Sequence, residues 1–200
     1  MAAERLALIA LLCAACASTP PPAAKPTAEP AATTEVSRFL PLADATVFAY
    51  DTTSGVSGQK GLLVLEVRRP RPSMAELVVA GRIRRVEIDA TGIRHATGGY
   101  LLKPPLALHA KYPGDFGMVE ITAVDKTITV PAGTFTGCVE TSEELSGSEF
   151  SKRTVTVYCP DVGIVTRRTD AESNEGAANE SLELRSHGPR FDLNAETKAP

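Results

Sequence analysis

The chain has no tryptophan, and aromatic residues make up 5% of its 200 positions. Its net charge is −3. It therefore has neither the basic field nor the stacking rings that nucleic-acid binders rely on, and nucleic acid is not expected as a partner. Histidine is scarce. His95, His109 and His187 stand apart, and no H-x-x-H, H-E-x-x-H or G-x-S-x-G occurs. The sequence forms of zinc-hydrolase and nucleophile-elbow chemistry are thus missing, so no catalytic residue, metal ligand or cofactor is assigned. Each histidine reads as a solvated or hydrogen-bonded strand-end residue. No apolar run approaches the ~20 residues of a membrane-spanning helix. There is no internal repeat and no convincing amphipathic helix.

What is present favours strands. Hydrophobic residues reach 43%, and fifteen glycines and fifteen prolines punctuate runs rich in Val, Ile and Thr. Val47–Tyr50, Leu62–Val67, Ala75–Val79, Ile83–Ile88, Ile93–His95, Tyr100–Leu102, Met118–Val124 and Ser181–Arg185 each read as a strand, with three more between Thr127 and Thr166. Pro70 and Pro72 are expected to end the second strand, Ala80-Gly81 to turn the chain, and Pro104-Pro105 to exclude helix and central strand. The expected fold is all-β: a strongly curved antiparallel sheet of about eight to ten short strands, forming a half-barrel, barrel or sandwich. One β domain over residues 36–188 is followed by a frayed polar tail at 189–200.

Residues 1–15 read as an export signal. A short head ends at Arg5, and Leu6 to Leu12 is an unbroken apolar run too short to span a bilayer. Ala14-Ala15-Cys16 resembles the lipobox of bacterial lipoproteins, with Cys13 where leucine is usual. The resemblance implies that Cys16 is acylated and becomes the new N-terminus; the alternative is a secretory signal cleaved near Ala15 or Ala17. Two or more acyl chains anchor a protein stably where one does not. Ala17, in place of an aspartate, implies an outer-membrane destination. Residues 16–35 carry this cysteine and an Ala/Pro/Thr-rich tether that buries too little apolar surface to fold. Extended at roughly 3 Å per residue, the tether reaches about 60 Å.

Thr127 to Thr166 is the most strongly specified stretch. Pro131 suits the second position of a β-turn and Gly133 the last, so Val130 to Gly133 reverses the chain. Thr154 to Cys159 alternates as a strand. If Cys138 bonds Cys159 across antiparallel neighbours, Glu140 falls opposite Val157 and the reversal falls in Leu145 to Ser151, a polar segment containing Gly147. Opposite positions lie within disulfide reach, and an exported compartment permits oxidation. The phase conflicts: Cys138 alternates with Thr136 and Glu140, whereas Val155, Val157 and Cys159 share an apolar face. A bulge at Gly137 restores it; otherwise the bond lies at the strand margin.

Four segments together resemble a large group of bacterial envelope proteins, mostly lipoproteins of unknown function. They are Pro41-Leu42 with Phe48-x-Tyr50; Tyr100-Leu101-Leu102-Lys103-x-Pro105-Leu106; Val130-Pro131-Ala132-Gly133-Thr134-Phe135; and Tyr158-Cys159-Pro160-Asp161-Val162-Gly163. The resemblance covers residues 37–186. It implies a strongly curved antiparallel sheet loosely related to lipid-carrying half-barrels. The group has no common reaction, so it supplies no catalytic residue.

Charge is unevenly spread. Lys60 to Lys111 holds ten basic residues against four acidic, and Tyr112 to Pro200 eight against fifteen. Arg82, Arg84 and Arg85 are the densest basic set. They read either as a surface for anionic lipid or an acidic partner, or as a solvated outer face paired with Glu66, Glu76 and Glu87. Three functional readings follow. The first is a non-enzymatic envelope lipoprotein, held at the outer membrane by its N-terminal lipid, facing the periplasm or the cell surface, with an apolar ligand or lipid in a lined apolar cavity of the curved sheet. The second is an assembly lipoprotein that binds another envelope protein. The third is a hydrolase, which needs a histidine clustered with Asp or Ser beneath a cleft.

Overall fold

The computed structural model describes residues 35–55 and 57–191. The export signal at 1–15, Cys16 with the tether up to residue 34, and the tail from 192 lie outside the described residues. A five-residue helix, α1 (Glu35–Phe39), precedes β1 (Thr46–Ser54), β2 (Gln59–Arg71), β3 (Met74–Val79), β4 (Arg82–Asp89), β5 (Gly92–His95) and β6 (Tyr100–Leu102). The chain continues through β7 (Lys111–Pro113), β8 (Met118–Val130), β9 (Gly133–Ser146), β10 (Phe150–Cys159), β11 (Gly163–Ser173) and β12 (Gly176–Pro189). These twelve strands form a single sheet in the order β6-β5-β4-β3-β2-β1-β12-β11-β10-β9-β8-β7. It consists of two antiparallel meanders that meet at the β1–β12 pair.

The all-β class and the curved antiparallel sheet agree with the sequence; the strand count is higher. β7 is three residues long, too short to alternate visibly. Met118–Val124 and Thr127–Val130 are not separate strands but one, β8, in which Asp125 takes a positive φ of 54°. β2 does not stop at Pro70. It runs on to Arg71 across a pairing irregularity after Arg68, where the missing proline N–H breaks no ladder bond. Ala80 and Gly81 both have positive φ, 48° and 76°, the conformation of a tight two-residue hairpin between Val79 and Arg82. Val130 pairs with Gly133 around Pro131-Ala132.

Register shifts in β1, β10 and the β8–β9 pair add local twist that curls the sheet. Its two edges, β6 and β7, then meet. The Tyr158 hydroxyl on β10 donates to the Leu101 carbonyl on β6 at 3.0 Å. The Tyr112 hydroxyl on β7 reaches the same oxygen at 3.5 Å. Beside them a Cβ on Gly99 would lie 1.5 Å from the Gly114 carbonyl oxygen, so only glycine permits this approach. The result is a nearly closed barrel whose seam is bridged by side chains instead of a ladder.

One end of the barrel is plugged. Helix α1 touches β5 on one meander and β11 on the other, and Asp161 N–H donates to the Arg38 carbonyl at 2.7 Å. Val36, Leu40, Leu42, Phe48 and Val162 are buried there in one cluster. Five residues are too few for a helix to hold itself in water; the buried face of α1 and this docking stabilise it.

Cys138 and Cys159 are joined by a disulfide, with Cα atoms 4.2 Å apart. Glu140 lies opposite Val157 and Ser146 opposite Ser151, the register the cysteine pairing requires. Against β8, Lys126 faces Cys138 while Ile128 faces Phe135, so Thr136 and Gly137 together oppose Thr127. Gly137, at φ 70°, sits in this bulge, which turns Cys138 into phase with Cys159. The tip of the β8–β9 hairpin then folds across β10 and β11: Ala132 N–H donates to the Leu184 carbonyl on β12 at 2.9 Å. Val130, Ile128 and Phe135 from this hairpin join Val157, Val165 and the two fully buried cysteines in the main core.

The bond closes a separation of 21 residues, worth about 3 kcal/mol on the chain-entropy model. Replacing both cysteines by serine is expected to lower Tm by about 6–12 °C at this domain size. The denatured, unreduced mature protein should show no reactive thiol at either position; a titratable Cys138 or Cys159 would remove the bond from the structure.

Candidate functional site

Strand alternation and register decide which side chains face into the barrel. Opposite pairs carry one inner face around the sheet: Phe48 and Tyr50 on β1; Leu63, Leu65 and Val67 on β2; Leu77 and Val79 on β3; Arg82, Arg84 and Val86 on β4. From β12 to β9 the same face carries Leu182 and Leu184, then Arg167 and Thr169, then Thr154, Thr156 and Tyr158, then Thr141 and Glu143. Toward the α1 end this face is apolar and filled. Toward the opposite end, where the β1–β2, β3–β4, β9–β10 and β11–β12 turns gather, it becomes polar. This open end is the mouth.

Neither of the two principal spaces among the described residues is a lined apolar cavity. Phe48, Tyr50, Tyr158 and the residues behind α1 occupy the interior, because aromatic side chains fill a barrel of this girth. Below the mouth, His95, Tyr100, Asp115, Thr141, Glu143, Thr154, Thr156, Tyr158 and Arg167 surround a space of about 40 Å³, room for one or two waters. A second depression, outside the barrel between Asp44, Glu66, Arg68, Arg69 and Arg190, is open and shallow. Its charges are already engaged: Glu66 accepts from Arg68 and Arg190 at 2.9 and 3.0 Å.

The three arginines singled out in sequence do not form one surface. Arg85 lies on the outer face and pairs with Glu76 at 3.0 Å. Nearby outer-face arginines are neutralised in the same way: Arg94 by Glu87 at 2.5 Å and Arg185 by Asp51 at 3.0 Å. Arg82 and Arg84 point to the inner side, opposite Val79 and Leu77. Arg167, not distinguished in sequence, faces them from the other meander. Among the described residues none of these three makes an ion pair. Arg82, Arg84 and Arg167 thus carry unpaired charge on the inner face, where Asp115, Glu143 and Glu180 stand as well.

His95 departs from expectation. It ends β5, as a strand-end residue should, but is 9% exposed, and its ring takes no hydrogen bond from another described residue. It is opposite Val86, one inward position from Arg84. Burial lowers its pKa most, and Arg84 and Arg167 push the same way, against Asp115 and Glu143. His109 instead hydrogen-bonds Glu120 at 2.9 Å on the surface, and His187 stacks on Phe48 at 6.1 Å.

His95 and Asp115 share one space, the histidine–carboxylate grouping that the hydrolase reading requires. The Thr154 hydroxyl bonds that of Thr169 at 3.0 Å, and the Thr141 hydroxyl donates to the Thr156 carbonyl at 3.4 Å. Glu143 accepts from the backbone N–H groups of Phe116 and Gly117 at 2.7 and 3.0 Å. None of these bonds presents a hydroxyl to His95, whereas nucleophilic catalysis needs nucleophile, base and orienting acid in one chain of bonds. The tyrosines are structural: burial pushes the Tyr158 hydroxyl up to about 12 and that of Tyr50 higher still, and Tyr50 donates to the Ile164 carbonyl at 3.0 Å.

No protein-family model and no curated protein matches the chain. Among solved structures, it is similar to a candidate lipoprotein from Parabacteroides distasonis, at 16% identity and a TM-score of 0.47, over 75% of this chain and 98% of that one. It is also similar to a candidate exported protein with a YmcC-like fold from Bacteroides fragilis, at 14% identity and a TM-score of 0.44, over 73% of this chain and 96% of that one.

Tyr158→Phe removes the shorter bond across the seam and should cost about 1 kcal/mol in urea unfolding; no change would mean the seam does not depend on it. His95 gives a pH effect with a definite sign. Its folded pKa lies below the unfolded value of about 6.5, so as pH falls through 6.5 the unfolded chain takes the proton first and stability drops. Urea midpoints measured between pH 5 and 8 should fall below pH 6.5 in the wild type. In His95→Gln this fall should shrink, leaving the carboxylate losses at lower pH.

Proposed function

We propose that the chain is a non-enzymatic lipoprotein of the bacterial cell envelope, anchored through acyl chains on Cys16, whose β domain binds an envelope lipid at the mouth of the barrel. The anchor rests on the N-terminal sequence: a short apolar run, small residues and then a cysteine, followed by a stretch unsuited to a core. Its destination is the outer membrane, from Ala17 after the cysteine. The lipid reading rests on one observation, the unpaired inner arginines beside half-buried Leu63, Leu65, Leu77 and Leu182 on the same concave face. A wholly apolar ligand fits less well, because the space behind the mouth is small. The Thr141, Thr154 and Tyr158 hydroxyls are bonded away from His95.

Mass spectrometry of native, membrane-extracted protein tests both halves of this reading. The mature chain should begin at Cys16 with a diacylglyceryl modification and carry co-purified lipid. Cys16→Ser should abolish the modification and shift the protein from its processed, membrane-extracted form. A chain cleaved at Ala15 or Ala17 and unmodified would overturn the anchor; absence of co-purified lipid would overturn the ligand.

A further inference from the structure

The mouth can be described more closely than as a lipid-binding face. Arg84 and Arg167 approach from opposite meanders, β4 and β11, that the curvature brings together. Arg84 stands one inward position from His95 along the inner face, and Arg167 lines the same small space as His95. Arg82 lies one step further out on β4, opposite Val79. All three guanidinium groups are without an ion-pair partner among the described residues, as are Arg69 and Arg71 on β2, whereas Arg68, Arg85, Arg94, Arg153 and Arg185 on the outer face pair with carboxylates. A guanidinium left free at a concave face is a ready donor fork for an oxyanion.

The other charged groups facing this mouth narrow the ligand. Glu143 is held by two backbone N–H groups. Asp115, which lines the space with His95, and Glu180, opposite Thr169, carry free carboxylates on the same rim. An extended polyanion would meet these carboxylates along its length; one compact anionic group meets Asp115 and Glu143 only beside Arg167, where the other two arginines offset them. The ~40 Å³ behind it admits water but neither a phosphate nor an acyl chain, so the head stays at the mouth, above this space. Beside the arginines, Leu63, Leu65, Leu77, Val79 and Leu182 are half-buried and offer an apolar ledge.

We propose that the mouth binds the phosphate headgroup of a phospholipid, with Arg84 and Arg167 donating to the phosphate from opposite sides, Arg82 at the entrance, and the first part of the acyl chains on the Leu63–Leu65–Leu77–Leu182 ledge. This rests on the lipid-binding reading above and assigns its polar determinant. A carboxylate head is a poorer match, since one fork satisfies its two oxygens, whereas a tetrahedral phosphate accepts from two forks on different sides.

The test uses the mature protein extracted in detergent and native mass spectrometry with three probes: dihexanoyl phosphatidic acid, dihexanoylglycerol and inorganic phosphate. One phosphatidic acid is expected per chain, with dihexanoylglycerol and inorganic phosphate at least tenfold weaker. R84Q/R167Q should weaken phosphatidic acid binding at least tenfold, and R84K/R167K by less, since charge remains while the fork is lost. R85Q, on the outer face, should stay within twofold of wild type. Circular dichroism checks that each variant is folded, as expected for solvent-facing arginines without partners. Unchanged phosphatidic acid binding in folded R84Q/R167Q overturns the assignment, as does equal binding of dihexanoylglycerol. Inorganic phosphate binding as tightly as the lipid overturns the lipid source. If lipid co-purifies equally with wild type and R84Q/R167Q, the lipid reading stands and the arginine site falls. If none co-purifies with the wild type, the reading itself falls.

Discussion

The carbonyl of Leu101 is where the barrel is closed. β6 and β7 form no ladder with each other, so the two meanders would otherwise be free to splay. Hydroxyls from Tyr158 and Tyr112 converge on that one oxygen from β10 and β7, and Gly99 lies against Gly114 beside it. The rest of the inner geometry depends on this seam. It sets the girth that the aromatic side chains fill. It also brings His95 on β5 within the field of Arg167 on β11. Buried tyrosine hydroxyls suit this role, since burial keeps them protonated and donating throughout the physiological range.

Polarity along the barrel axis divides two tasks. The α1 end is apolar, with Val36 and Leu42 buried, and supplies cohesion. The mouth carries unpaired arginines, which are tolerable because they remain partly solvated; a fully buried unpaired charge would cost far more. The residues that hold the plug and those that line the mouth are therefore different, though they share one inner face.

Legibility followed locality. Ala80-Gly81, Val130 to Gly133 and the Cys138–Cys159 register were readable because each is set by a few adjacent residues or one alternation. Even the phase conflict at Cys138 pointed to Gly137. The site was less readable. That Arg82 and Arg84 share a strand face is visible in sequence, but which face becomes concave depends on the whole curl. Arg167 gave no local signal at all, since it stands beside Arg168 in an ordinary polar run, and only pairing with β10 and β12 turns it inward. His95 looked like a surface residue because strands from the far meander bury it. β7 and α1, at three and five residues, were too short to leave a period.

The first and last strands form the middle of this sheet, with Thr46 opposite Pro189 and Ser54 opposite Glu180. Such a pair is about as non-local as the chain allows, and non-local pairing slows folding. During synthesis β1 emerges early, yet one of its two edges has no partner until the final strand appears. The two meanders can form separately, each with an open flank, but the barrel cannot exist before the chain is complete. Pairing of β1 with β12 is thus the step that turns two meanders into one barrel.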